Sequence, residues 1–332
     1  MIKVGVIRGG ISSEYEVSLK TGSNVLSHLR SDRLNNKYKA IDILIDKDGT
    51  WHISGKPISM EEVSNSVDVV FNALHGDYGE DGKVQQYLNI WNIPYTGSGA
   101  LPSAVGFNKI LAKEQFIKLG IKTPNYFVVS RYIEEIDGPI ETYSRNISKQ
   151  IHEKLSPYWI LKPLSGGSSV GMKICKTYVD LVNAFLEGIN LETDILVEEV
   201  IEGKEATVGV INNFRDKKVY VLPSTEIKLP KEKDFFDYEA KYVSAEYICP
   251  GNFSNLEKEE LSRLAGLIHT GLNLDHYSRS DFIVHPNKGI YALEVNTLPG
   301  LTDHSLIPKM LYAVGSDVPT FIDHILTLAL KR

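Results

Sequence analysis

The sequence predicts an α/β protein of more than one domain, and three observations carry that prediction. Its 332 residues exceed what a single hydrophobic core usually organises. Over the first third of the chain, apolar β-type runs alternate with helix-type periodicity, the pattern of a parallel sheet. Late in the chain, two apolar runs flank a Pro-Asn-Lys-Gly turn and read as an antiparallel hairpin.

The elements follow in order. Residues 2–8 read as a strand that stops at Gly9-Gly10. Ser13 and Glu16 match a capping box, and Val17, Leu19, Val25 and Leu29 continue as an amphipathic helix. Strands are expected over 40–45 and 67–73, the latter ending at Leu74-His75-Gly76. The turn-rich stretch 93–99 is a first boundary, and 108–119 reads as a helix closed by Gly120. Residues 131–157 are expected to form a helix and a surface loop, followed by a strand at 158–162 and the glycine-rich stretch 165–171. A strand over 195–200 ends in Glu198-Glu199, a second boundary. Residues 226–247 read as a long mobile loop, 255–272 as an amphipathic helix, and 317–330 as a terminal helix.

Composition narrows the function. The chain is 42% hydrophobic and 23% charged, as in soluble globular proteins. A net charge of −6 without any long Lys/Arg block argues against a nucleic-acid partner. The first residues run straight into a strand without signal-peptide organisation, and no apolar stretch is long enough to span a bilayer. Cys175 and Cys249 make neither a disulfide framework nor a zinc site. A cytoplasmic location is therefore expected.

The hairpin carries the most chemistry. Its pattern is Arg279-Ser-Asp281, then Glu294-Val-Asn296 thirteen residues after the aspartate. Folding brings Asp281 opposite the Glu294/Asn296 pair, and residues two apart on a strand share a face. Two carboxylates and an amide oxygen suit a hard divalent cation such as Mg²⁺ bound with phosphates. Arg279 shares the face of Asp281 and is placed to clamp phosphate oxygens.

Other segments read two ways. The stretch 165–171 lacks a P-loop ending, so with Lys162 it is either a lid that wraps phosphates or a bare turn. Lys109, in a first helical turn, is a phosphate contact or a solvated lysine. Glu198-Glu199 and Glu205 are an exposed acidic run, or a strand end meeting an adenine with a carboxylate for ribose. The loop from His75 to Gly82 is a ligand site or a plain turn. Asp237 to Tyr242 is a cover that excludes water or a surface loop. The turn after Asn296 offers backbone donors for an oxyanion, and Ser305 either caps a helix or binds a carboxylate.

Six segments in this order resemble the D-alanine–D-alanine ligases of the ATP-grasp superfamily, nearly end to end. They are GGISSEYEVSL at 9–19, HGDYGEDG at 75–82, IPYTGSG at 93–99, KPLSGGSSVG at 162–171, DYEAKY at 237–242 and EVNTLPGLTDHS at 294–305. The resemblance implies an ATP-grasp architecture: an N-terminal parallel α/β domain over 1–100, then two α+β domains sandwiching ATP. The central one would span 101–197 with the glycine-rich lid, and the last 198–332 with the metal site and the mobile loop. It implies ATP- and Mg²⁺-dependent joining of two D-alanines through an acyl phosphate for peptidoglycan, in a homodimer.

Carried over by position, Lys109 and Lys162 would contact ATP phosphates, with Glu198, Glu199 and Ile201 at the adenine and Glu205 at the ribose. Asp281, Glu294 and Asn296 would bind two Mg²⁺ (or Mn²⁺) ions, and Arg279 would stabilise the transferring phosphoryl group. Glu14 would anchor the first D-alanine, near His75, and would join Ser168 and Tyr242 in a network tying the mobile loop to the site. Lys241 would approach the γ-phosphate, Gly300 N–H would serve the oxyanion, and Ser305 with Leu306 would hold the second carboxylate. Arg8 departs from the family pattern and is expected to place a cation on the substrate side. A related ligase with D-lactate, D-serine or another amino acid as second substrate is the alternative.

Overall fold

The computed structural model describes residues 1–164, 171–228 and 246–331, so Ser168, Lys241 and Tyr242 lie outside the described residues. Its strands form three sheets.

The first holds β1 (Ile2–Gly9), β2 (Tyr38–Ile45), β3 (Trp51–Ile53), β4 (Lys56–Pro57) and β5 (Val69–Asn72), in the order β4-β3-β2-β1-β5. β1 runs parallel to both β2 and β5, as the alternating pattern predicts. Period-two alternation sends Val4 and Val6 toward Val25, Leu26 and Leu29 of the helix Tyr15–Arg30, and Ile7 to the opposite core with Ile43 and Trp51. The helix lies close: a Cβ on Gly22 would stand 2.6 Å from Arg8 Cβ. The short β3 and β4 were not expected.

The capping box does not form. Gly9 and Gly10, at φ +90° and +93°, turn the chain sharply off β1, and the helix begins only at Tyr15. Glu14 occupies the cap position without a side-chain cap bond, and Ser12 Oγ instead accepts the Glu14 N–H at 3.0 Å. The Glu14 carboxylate thereby stays available to the site.

The second sheet is antiparallel: β6 (Tyr126–Val129), β7 (Trp159–Pro163), β8 (Lys173–Cys175) and β9 (Ile195–Glu199), ordered β6-β9-β7-β8. The third contains β10 (Lys204–Phe214), β11 (Lys217–Val221), β12 (Thr225–Lys228), β13 (Glu246–Ile248), β14 (Tyr277–His285) and β15 (Gly289–Asn296). Its order is β13-β12-β10-β14-β15, with β11 on β10. Ala206, Val208 and Val210 of β10 share a core with Leu261, Leu264 and Ile268 of the helix Asn255–Gly271. The terminal helix Val318–Ala329 packs Phe321, Ile322 and Ile325 into a core common to the first and third sheets.

The helices Ala100–Phe107 and Lys109–Lys118 lie against β15, and Ala112 and Phe116 join the core of the third sheet. Their apolar faces are buried there, which leaves β6–β9 a separate core around Trp159 and Phe185. The expected loop 226–247 begins and ends in paired strands, with Glu226 opposite Ile248, because Glu226-Ile-Lys and Glu246-Tyr-Ile extend the sheet. Residues 229–245 lie outside the described residues.

Candidate active site

The hairpin β14–β15 sets the centre. Asp281 pairs in register with Glu294, and Arg279 with Asn296. The register shifts between Asp281 and Phe282, an irregularity of the kind that re-aims side chains beside functional sites. Asp281 is nearly buried and heavily bonded. Arg279 donates Nε to Oδ1 at 3.0 Å and Nη2 to Oδ2 at 2.9 Å, Asn296 Nδ2 donates to Oδ2 at 3.2 Å, and Thr207 Oγ1 donates to Oδ1. The four expected hairpin residues therefore meet at one point, with Thr207 added. Lys109 opens its helix, where Asn108 Oδ1 caps the Ile110 and Leu111 N–H groups at 3.0 and 3.1 Å. It lines one crevice with Glu80, Glu294 and Asn296.

On the second sheet, Glu198 is not part of an exposed acidic run. It is buried between Lys162, whose Nζ lies 2.5 Å from Oε2, and Lys113, which pairs with Oε1. Burial alone would raise its pKa, but the two ammonium groups outweigh it and hold the carboxyl down at about 2. Glu199 accepts the Ser156 N–H at 2.8 Å and Asn125 Nδ2 at 3.0 Å. Both carboxylates are thus committed within the fold, which leaves strand-end backbone as the group open to a ligand. Ile201 follows β9, and Glu205 is buried on β10 opposite Ile227 and Ile283.

The N-terminal sheet contributes an acidic group. Glu14, His75 and Glu80 bring ligand atoms within 4.8 Å of one another. His75 is buried, with Nε2 2.8 Å from Thr21 Oγ1, and burial lowers its pKa to about 4, so the ring is neutral near pH 7. Glu80 accepts N–H bonds from Gly76 at 3.1 Å and Leu298 at 3.3 Å, yet burial and then the Glu14 charge push it up to about 7. Glu14 is also raised, first by burial and then by Glu294 and Asp77, against Lys109 and Arg279. Those influences tie the N-terminal group to the hairpin. In the turn beyond β15, Gly300 sits beside Ser305, whose Oγ accepts the Thr302 N–H at 3.1 Å and does not cap the helix opened by Leu306.

Arg8 corrects another expectation. It is absent from the Glu14 group and forms a two-pronged pair with Asp42, Nε to Oδ1 and Nη2 to Oδ2, both 2.7 Å. It lies against Gly22 and lines a separate cavity with Asp42, Asp46 and His52. Sequence reasoning missed Glu80, Lys113 and Thr207. Glu80 lies within the 75–82 segment, and Lys113 repeats Lys109 at i+4, one helix face.

A family profile described as D-ala D-ala ligase C-terminus matches residues 116–327, and one described as D-ala D-ala ligase N-terminus matches 3–63 and 52–98. The chain belongs to the D-alanine–D-alanine ligase family. Among curated relatives, the D-alanine–D-alanine ligase of Geobacillus kaustophilus is 33% identical over 99% of this chain and 95% of its own. That of Geobacter sulfurreducens is 37% identical over 93% and 87%. Among solved structures, the VanG D-Ala:D-Ser ligase of Enterococcus faecalis has a TM-score of 0.82 at 29% identity, covering 99% of each chain. The D-alanine–D-alanine ligase of Bacillus anthracis, complexed with ATP, has a TM-score of 0.77 at 27% identity, covering 100% of this chain and 98% of that one. As a D-alanine–D-alanine ligase family member the protein is a ligase with the ATP-grasp fold, and the sheets described above are that fold.

Proposed function

We propose that this ligase joins two D-alanine molecules into D-alanyl-D-alanine with ATP as phosphoryl donor, supplying a peptidoglycan precursor. The observation that carries the reading is the register of Asp281 with Glu294 and of Arg279 with Asn296, at a crevice shared with Lys109.

A carboxylate is a poor acyl donor. The first D-alanine carboxylate therefore takes the γ-phosphoryl group, giving an acyl phosphate and ADP. The amine of the second D-alanine attacks the acyl carbon, loses a proton, and the tetrahedral adduct expels phosphate as the amide forms. Lys109 and Lys162 hold ATP phosphates, and Arg279 meets the transferring group as its charge spreads. The strand end at Glu198, Glu199 and Ile201 receives the adenine through backbone, and Glu205 the ribose. Glu14 takes the first ammonium beside neutral His75, while Glu80, raised to about 7 by burial and by Glu14, adds less than a full negative charge there near neutral pH. Gly300 N–H serves the oxyanion, and Ser305 with Leu306 the second carboxylate. Ser168, Lys241 and Tyr242, outside the described residues, keep in this reading the roles the family resemblance gives them.

Asp281, Glu294 and the Asn296 amide offer the hard oxygen donors that Mg²⁺ prefers, so the residues present fit two such ions. Mg²⁺ bound there supplies charge neutralisation to phosphate oxygens. Arg279 is paired with Asp281, and an ion held by that carboxylate would leave the guanidinium free to meet the phosphoryl group.

A homodimer and a cytoplasmic location belong to the same reading. Tyr87, Ile90, Trp91 and Leu101 leave apolar surface on two contacting helices, and no helix among the described residues is long and apolar enough to cross a membrane.

A second reading, D-serine as second substrate, is favoured by the likeness to the D-Ala:D-Ser ligase of E. faecalis. Phosphate release and product mass, measured with D-alanine alone and with D-serine, D-lactate or L-alanine added, separate the two. Dipeptide from D-alanine alone supports the first. Turnover that requires D-serine supports the second, and no turnover with any D-amino acid overturns both.

A further inference from the structure

We propose that Lys113 is a positioning residue that, by occupying half of Glu198, keeps that carboxylate from cancelling the charge Lys162 presents to the nucleotide phosphates. The inference rests on the ATP-dependent reading above and adds a residue to it. Glu198 on β9 gives one oxygen to each lysine, Oε1 to Lys113 and Oε2 to Lys162. The side chains are 1% exposed for Lys113, 2% for Glu198 and 14% for Lys162, so only Lys162 reaches the surface. Lys113 Nζ also donates to Thr123 Oγ1 at 2.7 Å and sits 5.5 Å from the centre of the Tyr126 ring, which fixes its place inside.

Charge counting gives the reason for two lysines. A single Lys162–Glu198 pair would be neutral and would offer a phosphate little attraction. With Lys113 the trio carries a net +1, and that excess emerges at its one exposed member, beside the segment where β7 ends. Holding a second lysine in the interior costs desolvation; apolar residues replacing Lys113 and Glu198 together could satisfy the fold as well, whereas removing Lys113 alone takes the ammonium from buried Glu198 Oε1. Lys113 itself shows the strain: burial lowers its pKa first of all, with Glu198 opposing that. What an apolar residue would not supply is the charge balance of the trio.

The experiment compares ATP and adenosine binding to the wild type, Lys113→Met, Lys113→Gln and the double variant Lys113→Met/Glu198→Gln, with thermal midpoints as controls. Removing one charge about 4–8 Å away in a partly screened site corresponds to roughly a tenfold change in affinity. Lys113→Met and Lys113→Gln are expected to weaken ATP about tenfold while adenosine binds as before, and the double variant, again net +1, to recover most of the loss. Equal weakening of ATP and adenosine, or further loss in the double variant, would show a packing role and overturn the inference. If the wild type binds ATP and Lys113→Met binds it equally well, this inference alone fails. A wild type that binds no ATP overturns the ligase reading and this inference together.

Discussion

Asp281 on β14 stands directly opposite Glu294 on β15, and the same pairing sets Arg279 opposite Asn296. A hairpin so registered presents its acids and its guanidinium at one place, and side-chain alternation keeps hydrophobic Phe282 and Val295 in the core behind them. In the present state Arg279 neutralises Asp281, which leaves Glu294 the carboxylate most open to a cation.

Glu294→Ala is accordingly expected to lower turnover on the order of a hundredfold or more and to raise the Mg²⁺ concentration needed for half activity. The thermal midpoint should change little, because Glu294 is only half-buried. A Mg²⁺ titration of phosphate release checks this, and an unchanged profile would remove Glu294 from the metal site.

Glu14→Gln should raise the D-alanine concentration needed for phosphate release about tenfold or more while ATP binding stays near wild type, since only the ammonium loses its counter-charge. A rise confined to the ATP requirement would place Glu14 elsewhere in the cycle.

Glu80 predicts a pH signature. Its folded pKa, raised to about 7 from an ordinary 4.5, means that its stabilising effect is complete below about pH 4.5 and is lost as pH rises through 7. Glu80→Gln mimics the protonated form, so it should gain stability relative to wild type as pH rises across that window, by on the order of 3 kcal/mol in full. Chemical denaturation at intervals from pH 4.5 to 8 reads the difference. A constant offset would mean that Glu80 titrates normally.

Arg8→Leu should leave the preference among D-alanine, D-serine and D-lactate unchanged. Its pair with Asp42 is partly exposed, so its loss is expected to cost about 1 kcal/mol or less. A switched second substrate would return Arg8 to the site.

Much of this was legible in local sequence. The hairpin could be read because its turn residues and period-two runs fix both the bend and the face, and β1 and the terminal helix show equally plain periodicity. The helix start at Tyr15 was not legible: Ser13 and Glu16 fit a capping box, but the backbone demanded by Gly9 and Gly10 shifts the start. β3 and β4, three and two residues long, are too short to show a period. The least legible features join distant segments. Glu80, raised first by burial and then by Glu14, accepts the Leu298 N–H from 218 residues away, and Glu198 meets Lys113 only through the docking of β9 beside the helix. Nothing in the composition of either segment states that contact. Arg8 shows the same limit in reverse, since a departure from a family pattern suggested a selector where the fold has made an ion pair.

The measurement that bears most directly on the account is the fate of oxygen from the substrate carboxylate. With ATP, Mg²⁺ and D-alanine labelled with ¹⁸O in its carboxylate, activation as an acyl phosphate transfers one labelled oxygen to the phosphate released for each D-alanyl-D-alanine formed. Dipeptide together with singly labelled phosphate is the expected result. Unlabelled phosphate would contradict the acyl phosphate, and phosphate release without dipeptide would contradict the ligation itself.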